Sequence, residues 1–104
     1  MAENKPDISL FFPVYNDERT VRVVANRALE LLEEVAGNYE IIIVNDGSTD
    51  SSGDIADQLA REYAKITVVH HPENRGYGAA MKTGIAASKY ELICMIDGDN
   101  EYDV

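Results

Sequence analysis

Tyr39-Glu40-Ile41-Ile42-Ile43-Val44-Asn45-Asp46-Gly47-Ser48-Thr49-Asp50 is the stretch on which the fold turns. Its first half is rich in isoleucine, as a strand covered on both faces should be, and such strands belong to parallel sheets flanked by helices. Ser48, Thr49 and Asp50 then offer N-caps for a helix that carries Ile55, Leu59 and Tyr63 inward. Upstream, the apolar run 8–12 reads as a strand that ends at Pro13. A helix follows from near Asp17 or Glu18, with Asn16 or Asp17 as its cap. It has Val21, Val24, Ala28, Leu31 or Leu32, and Val35 at helical spacing, and Gly37 stops it. Downstream, 66–69 is a third strand, 77–88 a helix entered through a glycine-bearing loop, and 91–96 a fourth strand. Strands alternating with helices predict an α/β fold, a Rossmann-like three-layer α/β/α arrangement with a mainly parallel sheet of about four strands.

The chain of 104 residues is expected to form one domain, 1–104. Nineteen acidic against nine basic side chains give a formal charge of −10, which argues against nucleic acid but not against a nucleotide, because one bound metal ion reverses the local sign. Cys94, the single cysteine, excludes an internal disulfide and sits mid-strand as a small core residue. No apolar run approaches a membrane span, and the first seven residues are too polar for a signal peptide, so a soluble, cytoplasmic location is expected.

In a parallel sheet the strand exits share one edge, where ligands of open α/β sheets bind. Those exits are 13–17, 45–50, 70–78 and 97–103, each polar or glycine-bearing. The last holds Asp97-Gly98-Asp99, two carboxylates just past a buried strand that can share one hard divalent cation. Asp46 either accepts an N–H from a nucleobase or serves a turn. Tyr15 either stacks on the base or caps the first strand. Ser48, Thr49 and Asp50 read as turn and cap residues. Asn74-Arg75-Gly76-Tyr77-Gly78-Ala79-Ala80 resembles a phosphate loop only weakly, since Met81 stands where a glycine is needed. His70 and His71 point apart in an extended segment and make a poor metal pair, so structural roles are expected.

Pro13-Val14-Tyr15-Asn16, the 44–50 loop, the 74–80 loop and Asp97-Gly98-Asp99, in this order, resemble the family 2 glycosyltransferases of GT-A fold over practically the whole chain. The Gly-Tyr-Gly-Ala-Ala stretch and the 97–104 ending are most similar to the polyprenyl-phosphate branch, the dolichyl-phosphate mannose synthases among them. The resemblance implies that Pro13, Tyr15, Asp17, Asp46 and Asp97 border a nucleotide-diphosphate sugar, while Asp97 and Asp99 hold Mn²⁺ or Mg²⁺. Two positions depart from the pattern: Asp17 is shorter than the usual Glu, and Asn45 replaces the first acid of Asp-Asp-Gly-Ser. The implied reaction transfers the sugar with inversion to a lipid phosphate such as polyprenyl phosphate, or to a saccharide, from a UDP-sugar in preference to a GDP-sugar. Any general base would lie beyond Val104, so the chain is expected to be a donor-binding half, inactive alone, of a parent associated with the inner face of the membrane. If the sheet order is third, second, first, fourth, the fourth strand forms an open edge and invites an edge-to-edge homodimer. A non-catalytic nucleotide- or metal-binding module is the alternative. A receiver-like domain lacks its acidic pair and fifth strand here, and a nucleotidyltransferase lacks its basic glycine-rich first loop.

Overall fold

A computed structural model describes residues 4–96; Asp97 and Asp99 lie outside the described residues. The elements run β1 (Ile8–Val14), α1 (Val21–Val35), β2 (Tyr39–Asp46), α2 (Ser52–Glu62), β3 (Ile66–His71), α3 (Tyr77–Ala87) and β4 (Leu92–Met95). The sheet order is β3-β2-β1-β4 and every pairing is parallel, the order under which the fourth strand becomes an edge. The architecture is the three-layer α/β arrangement expected.

The period-two alternation of side chains sorts the two faces. Leu10, Phe12, Ile41 and Ile43 point to one side, where Val21, Val24, Ala28 and Leu32 of α1 and Ala56 and Leu59 of α2 close the main core. Phe11, Ile42 and Val44 point to the other, where Ala80 of α3 covers them with Val69, Met81 and Ile93 at the margin. Helix α3 lies close to the sheet because Gly84 sits against the Phe11 ring: a Cβ there would come within 2.2 Å of Cδ1. β4 is short and, among the described residues, pairs with β1 alone, and Leu92 and Met95 are 47% and 36% exposed.

The end of β1, the start of α1 and two outward-facing positions differ from expectation. Pro13 lies inside β1, paired with Val44, and does not end it. The Phe11 carbonyl accepts from Ile96 N–H, so Phe11 and Pro13 turn their polar groups toward the β4 side, and β4 ends its pairing at Phe11, leaving no partner for the N–H proline lacks. Helix α1 starts at Val21, because the Asp17 carbonyl accepts both the N–H and the hydroxyl of Thr20 in a preceding turn. Of Leu31 and Leu32, expected as alternatives, Leu32 is buried; Val35 and Tyr63, expected inside, face solvent, Tyr63 because α2 has already ended.

Candidate functional site

The exits of β1 and β2 are stitched together by reciprocal hydrogen bonds between backbone and side chains. Asn16 adopts φ 50°, a left-handed conformation that asparagine tolerates better than most residues. Its Oδ1 accepts the N–H of Thr49 at 2.7 Å and of Asp50 at 3.4 Å, while its own N–H donates to Ser48 Oγ at 3.0 Å. Asp17 N–H donates to Ser52 Oγ at 2.9 Å and Glu18 N–H to Asp50 Oδ2 at 3.2 Å. In return Glu18 Oε1 accepts Ser51 N–H at 2.8 Å. Asp50 also accepts Ser52 N–H at 2.9 Å. Burial alone would raise the Asp50 carboxyl, but the Ser52 hydroxyl and the N–H groups of Ser52 and Glu18 outweigh it and hold it below the ordinary value. Ser48 and Asp50 thus accept bonds within the loops, as turn and cap residues do, and Thr49 donates its N–H to Asn16. Pro13 and Asp17 are half-buried along this seam, and Tyr15 stands out of it, 51% exposed.

Asp46 ends β2 and is 4% exposed. Oδ1 accepts from His71 Nδ1 at 2.8 Å and Arg75 N–H at 2.9 Å. Oδ2 accepts from Gly76 N–H at 2.9 Å and Asn74 Nδ2 at 3.1 Å. An ionised carboxylate offers roughly four lone-pair sites, and all are filled. Burial pushes the Asp46 carboxyl up, but the Arg75 N–H, the His71 ring and the Gly76 N–H together prevail and leave it below the ordinary value. The backbone N–H groups of Arg75 and Gly76 therefore bind a carboxylate of the protein itself, which accounts for the phosphate-loop look of 74–80. Gly47 completes the arrangement at φ 72°, where a Cβ would lie 2.3 Å from the backbone of Glu73 and Asn74. The β3 exit loop rests directly on the β2 exit.

The two histidines face opposite ways and hold opposite tautomers. Ser48 N–H donates to Asn45 Oδ1, so Asn45 Nδ2 faces His70 Nδ1 at 2.9 Å as a donor. That leaves the proton of His70 on Nε2, directed to Asp57 Oδ1 at 2.8 Å. His71 instead carries a proton on Nδ1, because Asp46 can only accept, and its Nε2 meets Thr83 Oγ1 at 2.8 Å. The roles of His71, Asn74 and Thr83 were not legible in the sequence, since they depend on the pairing of Asp46 opposite His71 between β2 and β3.

The edge thus gathers Pro13, Tyr15, Asp17 and Asp46, and β4, lying parallel beside β1, directs the chain toward it. Asp97 and Asp99 follow β4 outside the described residues; among the described residues no group of three or more His, Cys, Asp or Glu could hold a metal ion. A groove of about 520 Å³ lies at the opposite edge, among Leu29, Glu33, Tyr39, Tyr63 and Lys65, away from the strand exits.

The sequence model of the family described as Glycosyl transferase family 2 matches residues 9–104. EpsH of Bacillus subtilis is 42% identical over 95 residues, 91% of this chain and 26% of that protein. The human dolichyl-phosphate beta-glucosyltransferase is 36% identical over 99 residues, 88% of this chain and 31% of that one. The mannosyltransferase PcManGT of Pyrobaculum calidifontis, solved in complex with GDP-Man and Mn²⁺, superposes with a TM-score of 0.81 at 21% identity, covering 91% of this chain and 28% of that one. The chain spans between a quarter and a third of the length of the curated relatives it matches.

Proposed function

The chain belongs to glycosyl transferase family 2, and from that membership we propose that its strand-exit edge binds the nucleotide diphosphate of a sugar donor. The observation that carries the reading is the convergence of the clasped β1 and β2 exits on the edge toward which β4 runs. Tyr15, exposed and adjoining the clasp, offers a ring for the base, with Pro13 and Asp17 beside it. Asp46 is placed at the base as well; a contact there replaces one of the four bonds its carboxylate now accepts. Asp97 and Asp99 supply hard carboxylate oxygens suited to Mn²⁺ or Mg²⁺, with Asp97 also bordering the nucleotide. When bound, the cation neutralises negative charge on the departing diphosphate.

The sugar acceptor in this reading is a polyprenyl phosphate, an anion at neutral pH that needs a general base less than a hydroxyl does. The kinship with the dolichyl-phosphate beta-glucosyltransferase supports it. Transfer proceeds with inversion, on the cytoplasmic side of a membrane, and needs residues beyond Val104. This chain alone binds donor without turning it over. In solution, the open edge of β4 pairs with a second copy. The family resemblance favours a UDP-sugar, the Pyrobaculum protein was solved with GDP-Man, and titration with both nucleotides decides between them.

Calorimetric titration of UDP and GDP with and without Mn²⁺, into the wild type and Tyr15→Ala, tests the donor site. Mn²⁺-dependent binding of one nucleotide, weakened by Tyr15→Ala, is expected. A folded wild type that binds neither nucleotide in any combination refutes donor binding by this chain.

A further inference from the structure

We propose that Thr83 and His71 are positioning residues for nucleotide binding, acting on the strand-exit edge through Asp46; the proposal rests on the donor-site reading above. Thr83 sits in α3, on the helix and not in any exit loop, and its hydroxyl meets His71 Nε2 at 2.8 Å. The ring is held at its other end by Asp46 at 2.8 Å, and His71 is only 7% exposed. A buried imidazole anchored at both nitrogens cannot turn about its ring bond without orphaning a polar atom.

The geometry closes a ring. Asp46 holds Arg75 N–H and Gly76 N–H, which lead into α3, and His71 holds Thr83 in the seventh residue of that helix. The helix is thereby moored to the β2 exit at its start and at its middle. Gly76 O accepts Ala80 N–H, so the moored loop continues into the helix without slack. Because Gly47 packs against the Glu73–Asn74 backbone, any drift of the β3 exit loop also shifts the β2 exit. Asp46 and the loops on either side of it therefore take their places from a hydroxyl that touches none of the loops.

Thr83→Val replaces that hydroxyl with a methyl at a half-buried position and leaves the volume nearly unchanged. His71 Nε2 then loses its partner, and the ring that presents Nδ1 to Asp46 is held at one nitrogen only, which loosens one of the four bonds on the carboxylate. The test measures amide hydrogen exchange at Arg75 and Gly76 by NMR, and UDP and GDP affinity with Mn²⁺ by calorimetry, in wild type, Thr83→Val and Thr83→Ser. The expected result is that Thr83→Val keeps its dispersed spectrum, exchanges both amides about tenfold faster and binds the nucleotide about tenfold more weakly. Thr83→Ser, which restores the hydroxyl, should recover both. Unchanged exchange in Thr83→Val overturns the coupling through His71. Faster exchange with unchanged affinity overturns the positioning role while leaving the donor site standing. A wild type that binds no nucleotide fails the donor-site reading and takes the positioning role with it, while the exchange data still report whether Thr83 controls the loop.

Discussion

Asp46→Asn is the substitution that most directly probes the mooring of the β3 exit loop. The two side chains have nearly the same shape, so the change lies in hydrogen-bond chemistry. In one amide orientation the new NH₂ replaces Oδ1 and faces His71 and Arg75 N–H; in the other it replaces Oδ2 and faces Asn74 and Gly76 N–H. His71 can adapt by moving its proton to Nε2, and Asn74 can adapt by turning its own amide. The backbone N–H groups cannot. Either orientation therefore leaves one donor pointed at another donor, Arg75 or Gly76, and all the bonds that remain lose their charge assistance. An orphaned buried donor costs about 1–3 kcal/mol and the lost ionic character adds to it, so about 3 kcal/mol is expected in total. Against a stability of about 5–15 kcal/mol the fold should survive.

With a urea slope of about 1.5 kcal/mol per molar, the unfolding midpoint at pH 7 should fall by about 2 M. The pH dependence gives a second check. The folded Asp46 carboxyl titrates below its ordinary value of 3.8. Its contribution is thus fully present above that value and lost as the pH falls through the lower folded value. The gap between wild type and Asp46→Asn should be complete at neutral pH and shrink on acidification. A gap under about 1 kcal/mol at pH 7, or one that widens toward acid, would refute the assignment of four charge-assisted bonds to Asp46.

Gly84→Ala should destabilise by about 1–2 kcal/mol, because a Cβ 2.2 Å from the Phe11 ring forces helix and sheet apart and outweighs the gain of about 1 kcal/mol in helix propensity. Gly78→Ala in the same helix has nothing within 4 Å and should be neutral or stabilising; equal effects in urea melts would count against the close approach of α3. The hydroxyl of Tyr39 donates to Glu33 at 2.7 Å, and burial followed by that bond pushes it from 10.0 up to about 12. Its contribution is present below pH 10 and is lost as the pH rises toward 12, so unfolding free energy should drop across that window in the wild type and not in Tyr39→Phe. Parallel profiles would show that the phenol titrates alike folded and unfolded. Sedimentation velocity should show association that rises with concentration and is reduced by Leu92→Lys on the open β4 edge; a monomer at every concentration would remove the proposed pairing.

The layered fold was legible because 39–44 reads as a strand covered on both faces and the helical spacing of Val21, Val24, Ala28 and Leu32 reads as a single buried stripe. Which of Leu31 and Leu32 faces the core was left open, since both fit a helical stripe; the structure buries Leu32. The opposed directions of His70 and His71 followed from strand geometry alone. What escaped was everything that depends on register. Asp46 read as a base contact with a turn as the alternative, and only its pairing opposite His71 reveals a filled carboxylate. Pro13 read as a stop signal because proline lacks an N–H; inside β1 it costs nothing where β4 has ended. Asn16 or Asp17 was expected to cap α1, and Asn16 binds the approach to α2 instead.

That last exchange has a kinetic consequence. Neither α1 nor α2 receives a side-chain bond from its own N-cap residue, Thr20 or Ser51. Asp50 gives α2 one local bond, from Ser52 N–H, and the other side-chain bonds that join the two entrances come from partners more than thirty residues away in sequence, Ser48, Ser52 and Asp50 for one and Asn16 and Glu18 for the other. A helix without a local cap gains little from forming early, and closing such a long loop costs entropy before the remote partner is met. The remote bonds at both helix starts must therefore wait for β1 and β2 to pair, and only α2 has a local cap, Asp50, to form before then. The chain is expected to build its sheet and its helices in one concerted event, more slowly than a helical bundle of the same length, and the strand-exit edge is assembled in that same step.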